Sequence, residues 1–341
     1  MKIWYDACTG KHIRYGTVIA KRLRKLGHSV ILTTRRHPDT LKLAEILKEK
    51  FIPVGKYNPE SLSTRLRESI KRTLEFSKLF KNNAPDIAIS HQSVDLCRVA
   101  FGLGIPIILT ADTPHATAVN KLTLPLADTI VTSEAIPKRL IKKYGAQKIV
   151  QFKGVDEASW IKDFTPPEQL EFKKTLIVVR QMEIKACYAL GKNDITLKIA
   201  KKLTSIGNVL FLPRYGELKY KGITIPDKFV DSAHLVAQAD LVVSVGGTIA
   251  REAALQGTPS IVLSRFSRTP VNRYLSKRGF PIFMTKTSEV LTYAKKYLGK
   301  KFDVKAKLKK MENPVDIIEK VLQKNQFNLR QKIKNRQDIL K

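Results

Sequence analysis

Residues 240–263, DLVVSVGGTIAREAALQGTPSIVL, constrain the fold of this 341-residue chain more than any other segment. The pattern predicts a buried strand, a turn at Gly246 and Gly247, a helix and a second apolar strand. The backbone of a glycine lets a ligand approach closely, and the free N–H groups at a helix N-terminus attract anions. The segment therefore predicts an α/β unit with a site for an anion or a ribose at its turn.

Two polar side chains of the predicted helix would complete this site. Thr248 and Glu252 are one helical turn apart and therefore face the same side. The Glu252 carboxylate could accept two hydrogen bonds from a ribose diol. A glycine pair after a strand is also common in α/β proteins, and Glu252 could be a solvated helix residue, so both interpretations stay open.

Apolar strands alternate with amphipathic helices along two stretches of the chain. The alternation over 1–152 and again over 175–322 predicts two doubly wound, Rossmann-like α/β domains with parallel sheets covered on both faces. Residues 153–174 interrupt the rhythm and predict an interdomain linker, and 323–341 predict a basic tail. Two such domains enclose a cleft, where ligands bind beyond the carboxyl ends of the strands.

The charge of the chain is strongly unbalanced. Lys and Arg number 62 against 30 Asp and Glu, which gives a formal net charge of +32. Such an excess favours a polyanionic partner, either nucleic acid, an anionic membrane surface or a phosphorylated substrate. A solvated basic surface is the open alternative. With no apolar run long enough to cross a bilayer and no signal peptide, we expect a cytoplasmic protein, with peripheral membrane association left open.

Polar residues follow the strands of the first domain. Gly10 and His12 follow the first strand, His91 follows another, and Asp112 and His115 share one turn after a third. Imidazole titrates near neutrality and suits general base catalysis on a hydroxyl, and Asp112 could orient His115. We assign catalysis to His12, Asp112 and His115, and substrate binding to Gly10 and His91. The alternative is that each histidine caps a helix or bonds a backbone carbonyl.

Arg180 ends the first strand of the second domain and could clamp a diphosphate, although a basic surface residue is the alternative. The chain has no Asp-x-Asp pair and no HExxH motif, so we predict no metal site. It also has no GxGxxG or GxxxxGK[ST] motif, so neither a dinucleotide cofactor nor P-loop chemistry is indicated. We expect no cofactor.

Several of these residues carry a family resemblance. The two-domain layout and the segment SVGGTIAREAALQGTPSIV resemble the GT-B glycosyltransferase superfamily. Within it they are similar to the lipid-linked N-acetylglucosaminyltransferase of peptidoglycan synthesis and to the non-hydrolysing UDP-N-acetylglucosamine 2-epimerases. The segment TGKHIRYGTVIAKRLRKLGHSVILTT is similar to the transferase's first loop, helix and second strand. With DTPHATAVNKLTLPLAD at 112–128, the whole chain looks most like DUF354, an archaeal family of uncharacterised proteins.

The resemblance implies roles for individual residues. Glu252 would bind the ribose of a uridine nucleotide, and His12 would act as a base beside the acceptor hydroxyl. The residues it places on the diphosphate are Gly246, Gly247, Thr248 and Arg180.

The resemblance also leaves alternatives. The first loop has fewer glycines than the transferase loop, and the epimerase's catalytic carboxylates have no clear counterpart beyond Asp112. The leading interpretation is metal-independent transfer of a hexosyl group from a UDP-sugar to a lipid-phosphate or other anionic acceptor. A nucleotide-sugar epimerase is the first alternative. A nucleic-acid-binding protein on the same fold is the second, and it rests on charge alone.

Overall fold

The computed structural model describes residues 1–166, 171–185, 193–214, 220–263 and 269–324. Two sheets, of seven and six strands, form the centres of two α/β domains. Every pairing between named strands is parallel, as the alternation of apolar strands with helices predicts.

The first sheet has the strand order β3-β2-β1-β4-β5-β6-β7. Its strands are β1 (Lys2–Ala7), β2 (Ser29–Arg36), β3 (Ile52–Lys56), β4 (Ile87–Ser90), β5 (Ile107–Ala111), β6 (Thr129–Ser133) and β7 (Ile149–Phe152). Every residue of β4, β5 and β6 is buried, because helices cover the sheet on both faces.

The helices of the first domain begin at side-chain caps where the sequence supplies them. They are α1 (Gly10–Lys25), α2 (Pro38–Ile46), α3 (Leu62–Leu79), α4 (Val94–Gly102), α5 (Thr117–Thr123) and α6 (Lys138–Lys142), with a 3₁₀ turn at Leu124–Leu126. Thr9 caps α1, Ser61 forms a capping box with Thr64 at α3, and Ser93 caps α4. Gly27, at φ +80°, follows the end of α1.

The second sheet has the order β10-β9-β8-β11-β12-β13. Its strands are β8 (Leu176–Arg180), β9 (Asn208–Leu212), β10 (Ile223–Thr224), β11 (Leu241–Ser244), β12 (Ser260–Leu263) and β13 (Ile282–Thr285). The helices are α7 (Ala158–Ile161) before the sheet and α8 (Thr196–Leu203), α9 (Ser232–Gln238), α10 (Thr248–Leu255), α11 (Pro270–Lys277), α12 (Val290–Tyr297) and α13 (Lys305–Lys309), with a 3₁₀ turn at Thr287–Glu289.

The chain returns to the first domain at its described end. A helix runs from residue 314 to 324, and Arg22 of α1 pairs with Asp316 at 2.6 Å and Glu319 at 3.3 Å. Apolar residues of this helix join the core of the first domain, which also takes in residues of α10 and α11. The core of the first domain therefore extends into the second domain, whose sheet also has two apolar clusters of its own. Of the predicted tail, the residues beyond 324 lie outside the described part.

Both sheets reverse their winding at one point. In the first sheet this switch lies between β1 and β4, and in the second between β8 and β11. Open α/β sheets bind ligands beyond the carboxyl ends of the strands at such a switch. The loops after these four strands are therefore where a site is expected. Among the described residues, no helix has the length and apolar character needed to span a membrane.

Candidate functional site

The predicted linker is part of the site. Asp156, Glu157 and Trp160, from residues 153–174, are buried at 3%, 0% and 7% exposure. Their side chains contact helix α1 of the first domain and helix α10 of the second. Residues 167–170 of the predicted linker lie outside the described part.

A cluster of charges, which we call the Lys11 cluster, occupies the carboxyl end of the first sheet. It consists of Lys11, Asp112, Asp156, Glu157 and Arg251. The Lys11 Nζ lies 2.6 Å from Asp112, 2.8 Å from Asp156 and 3.5 Å from Glu157. Arg251, one residue before the predicted ribose ligand, reaches across the domain boundary to Asp112 at 2.7 Å and to Glu157 at 3.1 Å. The cluster therefore fixes helix α10 against the first domain.

The ionisation of the cluster follows from this geometry. Burial would lower the pKa of Lys11, but the carboxylates of Asp112, Asp156 and Glu157 outweigh it and raise that pKa. Burial would raise the pKa of Asp112, but Lys11, His91 and Arg251 hold it well below its usual value. These charges are strongly coupled, and removing one affects all the others.

Three carboxylates face two side-chain cations in the Lys11 cluster. The Asp156 Oδ1 and Glu157 Oε2 atoms are buried and have no hydrogen-bond partner in the described part of the chain. His91, Asp112 and Asp156 also offer ligand atoms within 4.8 Å of one another, a spacing that could hold a cation. The Lys11 ammonium already bonds both aspartates and competes for those oxygens. The sequence analysis did not anticipate this grouping.

The structure brings His91 to Asp112. The His91 Nε2 lies 3.2 Å from Asp112 Oδ1, and its Nδ1 lies 2.7 Å from the Thr110 hydroxyl. Both ring nitrogens therefore bond the protein. His115 is exposed in the turn that follows Asp112.

His12 lies beside His91, with 4.9 Å between the ring centroids. Its Nδ1 accepts a hydrogen bond from the Cys8 N–H at 3.2 Å. Burial, together with His91 and Lys11, lowers the pKa of His12 well below its usual value, so the imidazole is neutral at pH 7. With Nδ1 as acceptor, the proton of the neutral ring is on Nε2. In this state Nε2 is a hydrogen-bond donor, and the ring can act as a base only when Nδ1 leaves the Cys8 N–H, for example by a ring flip.

The glycine turn is open at the start of α10. Gly246 and Gly247 have φ values of +125° and +99°, a conformation that favours glycine. A Cβ built at Gly247 meets nothing within 4 Å, and Gly247 is exposed. Thr248 is the first helical residue, and no side chain among the described residues caps the helix. The first turn of α10 therefore begins at an exposed glycine with no side-chain cap from that residue, the arrangement that an anion site at a helix N-terminus uses.

Glu252 is more enclosed than the sequence suggests. Its side chain is 0% exposed, and its oxygens accept hydrogen bonds from Trp160 Nε1 at 2.9 Å and the Ser232 hydroxyl at 2.7 Å. Arg14 lies 3.4 Å away and also pairs with Asp231. Burial raises the pKa of Glu252, and the positive charge of Arg14 offsets part of that increase. A ribose diol at Glu252 would have to replace these partners, so its role as a ribose ligand stays a prediction.

Arg180 lies at the end of β8, as predicted. Its guanidinium bonds the Pro213 carbonyl at 3.3 Å and lies 3.6 Å from Asp39 of the first domain. Burial, with Arg214 nearby, lowers the pKa of Arg180 to about 9. In this arrangement Arg180 links the two domains, and its contact with a diphosphate stays a prediction.

Sequence reasoning missed four members of the Lys11 cluster. Only Asp112 was named as a candidate. Lys11 lies between the named residues Gly10 and His12, and Arg251 directly precedes Glu252, so both adjoin a recognised motif. Asp156 and Glu157 fall in a predicted linker, where acidic residues normally indicate solvent. Only the tertiary structure shows them buried.

Comparison with solved structures identifies the architecture. The Methanocaldococcus jannaschii UDP-GlcNAc 2-epimerase in complex with UDP-GlcNAc and UDP has a TM-score of 0.71 and 15% identity, covering 95% of this chain and 99% of that one. Spinosyn rhamnosyltransferase SpnG has a TM-score of 0.61 at 14% identity, covering 94% and 100%. MurG of Acinetobacter baumannii has a TM-score of 0.52 at 15% identity, covering 95% and 99%. At these identities the likeness shows the fold, and the predicted GT-B fold is confirmed.

Comparison of sequences identifies the family. The chain is 30% identical over 334 residues to the uncharacterized protein MJ0665 of Methanocaldococcus jannaschii, covering 93% of this chain and 96% of that protein. The family model described as "Protein of unknown function (DUF354)" matches residues 1–326. The chain therefore belongs to the DUF354 family.

Proposed function

We propose that this protein is a GT-B-fold enzyme that transfers a sugar from a nucleotide-sugar donor, a UDP-sugar, to an acceptor. The observation that carries the proposal is the open glycine turn at the start of α10, the helix whose Arg251 pairs with Asp112 in the Lys11 cluster. The similar epimerase is described in complex with UDP-GlcNAc and UDP, which supports a uridine nucleotide.

The donor diphosphate would lie at the N-terminus of α10. Gly246 and Gly247 have no Cβ to block an approach to the backbone, and the N–H groups of the first helical turn would supply hydrogen bonds and partial positive charge. As the bond to the sugar breaks, negative charge builds up on the diphosphate. The helix N-terminus would stabilise that charge without a metal ion, since its dipoles are already oriented.

The acceptor would approach from the loops after β1 and β4. His12 is neutral there, and its Nε2–H could bond an acceptor hydroxyl or a sugar oxygen. After a ring flip, the same imidazole could take the acceptor proton. Asp112 is held ionised by Lys11 and Arg251, so in this proposal it organises the site through His91 rather than acting as a base.

Calorimetric titration with UDP and UDP-N-acetylglucosamine tests the donor site. Thr248→Asp is the sharpest variant, because a carboxylate in the first turn stabilises a helix but repels a diphosphate. We expect wild type to bind and Thr248→Asp to lose at least about tenfold in affinity, the effect of about 1.4 kcal/mol. Ser63→Asp is the matched control, since it adds the same charge to the exposed first turn of α3 and should bind like wild type.

Glu252→Ala is a poorer first variant, because it removes a buried partner of Trp160 and Arg14.

Equal binding by wild type and Thr248→Asp would overturn the donor site. No binding of any nucleotide, together with RNA binding that weakens steeply with salt, would favour a nucleic-acid-binding protein instead.

A nucleotide-sugar epimerase is the second candidate. Its support is the TM-score of 0.71 to the archaeal epimerase and the grouping of His91, Asp112 and Lys11 at the carboxyl end of the first sheet. An epimerase needs no acceptor. Proton NMR of UDP-N-acetylglucosamine incubated with the protein alone separates the two. Appearance of the C2 epimer would favour the epimerase, whereas sugar transfer only on addition of an acceptor would favour the transferase.

A further inference from the structure

Exposed apolar side chains are concentrated on one layer of the first domain. Twelve large apolar residues of the described chain are exposed, and all of them precede residue 123. Eight of the twelve lie on α3, α4 and α5 or directly after α4. They are Leu62, Leu66, Ile70, Leu74, Leu79, Phe101, Leu103 and Leu122. We call this set the α3–α5 surface.

These helices form a continuous layer. After β3 the chain crosses to β4 and then adds β5, β6 and β7 in one direction, whereas β2 and β3 were added in the other. Right-handed crossovers therefore place α3, α4 and α5 together on one face of the sheet. The helices pack against one another in that order.

The centre of the surface is a stripe along α3. Leu62, Leu66, Ile70 and Leu74 recur every four residues and are 70%, 63%, 60% and 55% exposed. The stripe is about 18 Å long at 1.5 Å per residue. The opposite side of α3 is fixed in the domain, because Arg72 pairs with Asp6 at 2.5 Å. The stripe therefore takes no part in packing the core of the first domain.

Basic side chains accompany the apolar ones. The exposed bases on the three helices are Arg67, Lys71, Lys78, Arg98 and Lys121. The exposed acid on them is Glu75, whose carboxylate accepts the Gly55 N–H at 2.9 Å. A helix face with apolar residues flanked by Lys and Arg is the pattern of a helix that lies in a membrane interface.

We infer that the α3–α5 surface docks on an anionic lipid bilayer, with the stripe entering the headgroup region and the flanking bases contacting lipid phosphates. Charge complementarity selects this occupant. A second copy of this chain would place the same bases against each other on a protein of net charge +32. The surface begins beside the cleft, since Arg65 of α3 bonds the Lys185 carbonyl of the second domain at 2.6 Å. Docking would therefore hold the cleft close to the lipid.

Vesicle co-sedimentation of the full chain tests this inference. The vesicles are phosphatidylcholine alone and phosphatidylcholine mixed with anionic phosphatidylglycerol. The stripe variant is Leu66→Ser with Ile70→Ser. The matched control is Leu26→Ser with Ile46→Ser, which makes the same changes at exposed positions outside the surface. We expect wild type and control to bind the anionic vesicles, more weakly as salt rises, and the stripe variant to lose about tenfold or more.

Binding of the stripe variant as strong as wild type would overturn the inference, because the basic charge alone would then explain adsorption. Light scattering that shows a wild-type dimer, with a monomeric stripe variant and no vesicle binding, would overturn it in favour of a second copy. Nucleotide titration of the stripe variant runs in parallel. The docking inference does not rest on the donor site, so each can fail while the other holds.

Discussion

Lys11→Met is the most informative test of the Lys11 cluster, because it removes one largely buried cation and leaves every other side chain of the protein unchanged. The substitution replaces an ammonium by an apolar group of similar length. It leaves Asp112, Asp156 and Glu157 buried with Arg251 as their remaining side-chain cation. Two carboxylate oxygens of this group already have no hydrogen-bond partner in the described part of the chain.

The size of the effect follows from the distances. At 2.6 and 2.8 Å, each of the two shortest contacts of Lys11 has a Coulomb energy of about 6 kcal/mol at an effective dielectric constant of about 20. The cost of desolvating the ammonium offsets much of this. Removing one partner of a buried ion pair typically costs about 3–5 kcal/mol, and we expect Lys11→Met to lose that much stability at pH 8.

The loss should depend on pH with a defined sign. In wild type the pKa of Asp112 in the folded state lies below the pKa that it has in the unfolded chain. The stability that the ionised carboxylate contributes is therefore fully present above the unfolded pKa of about 4 and is lost only as the pH falls below it. Without Lys11, burial raises the carboxyl pKa in the folded state. Stability is then lost as pH rises through that raised pKa. We expect the penalty of Lys11→Met to be about 1–2 kcal/mol smaller at pH 5 than at pH 8.

Urea denaturation followed by tryptophan fluorescence measures this difference. The chain has two tryptophans, Trp4 in the core of the first domain and Trp160 at the domain boundary. Lys21→Met is the control, because it makes the same change at an exposed position of the same helix and should cost less than about 0.5 kcal/mol. If Lys11→Met does not fold, Lys11→Met with Asp112→Asn should restore folding. A penalty below about 1 kcal/mol, or one equal at both pH values, would refute the reasoning.

Two further substitutions test the packing between elements. Glu252→Ala removes the acceptor of the Trp160 indole N–H and should lower the free energy of unfolding by about 3–5 kcal/mol. Glu252→Gln keeps an acceptor and should lower it by about half as much or less. Equal decreases in the melting temperature of the two variants would contradict this. Gly16→Ala places a Cβ against the ring of the buried Tyr5 and should cost about 1–3 kcal/mol. Gly102→Ala, with nothing within 4 Å, should be neutral or stabilising, and denaturation midpoints that rank the two alanine variants the other way would count against the packing argument.

The periodicity of the chain was enough to predict the fold. Strands buried on both faces leave continuous apolar runs, and the intervening amphipathic helices require a parallel sheet. Some of the shortest elements were not predicted. The edge strand Ile223–Thr224 has two residues, and the helices Thr117–Thr123 and Ala158–Ile161 are too short for a periodic pattern. Tertiary contacts rather than local propensity maintain such elements.

The candidate site divides in the same way. The glycine turn at 246–247 could be predicted from the sequence, because a backbone with positive φ strongly favours glycine and two consecutive glycines after a strand are easily recognised. The partners of Lys11 could not be predicted, since they lie 101, 145 and 146 residues away along the chain. Charged residues in a sequence also normally indicate positions exposed to solvent. By itself the sequence determined the doubly wound architecture and the glycine turn before a helix. Only the tertiary structure decided which charges are buried together, because burial depends on what the rest of the chain packs around them.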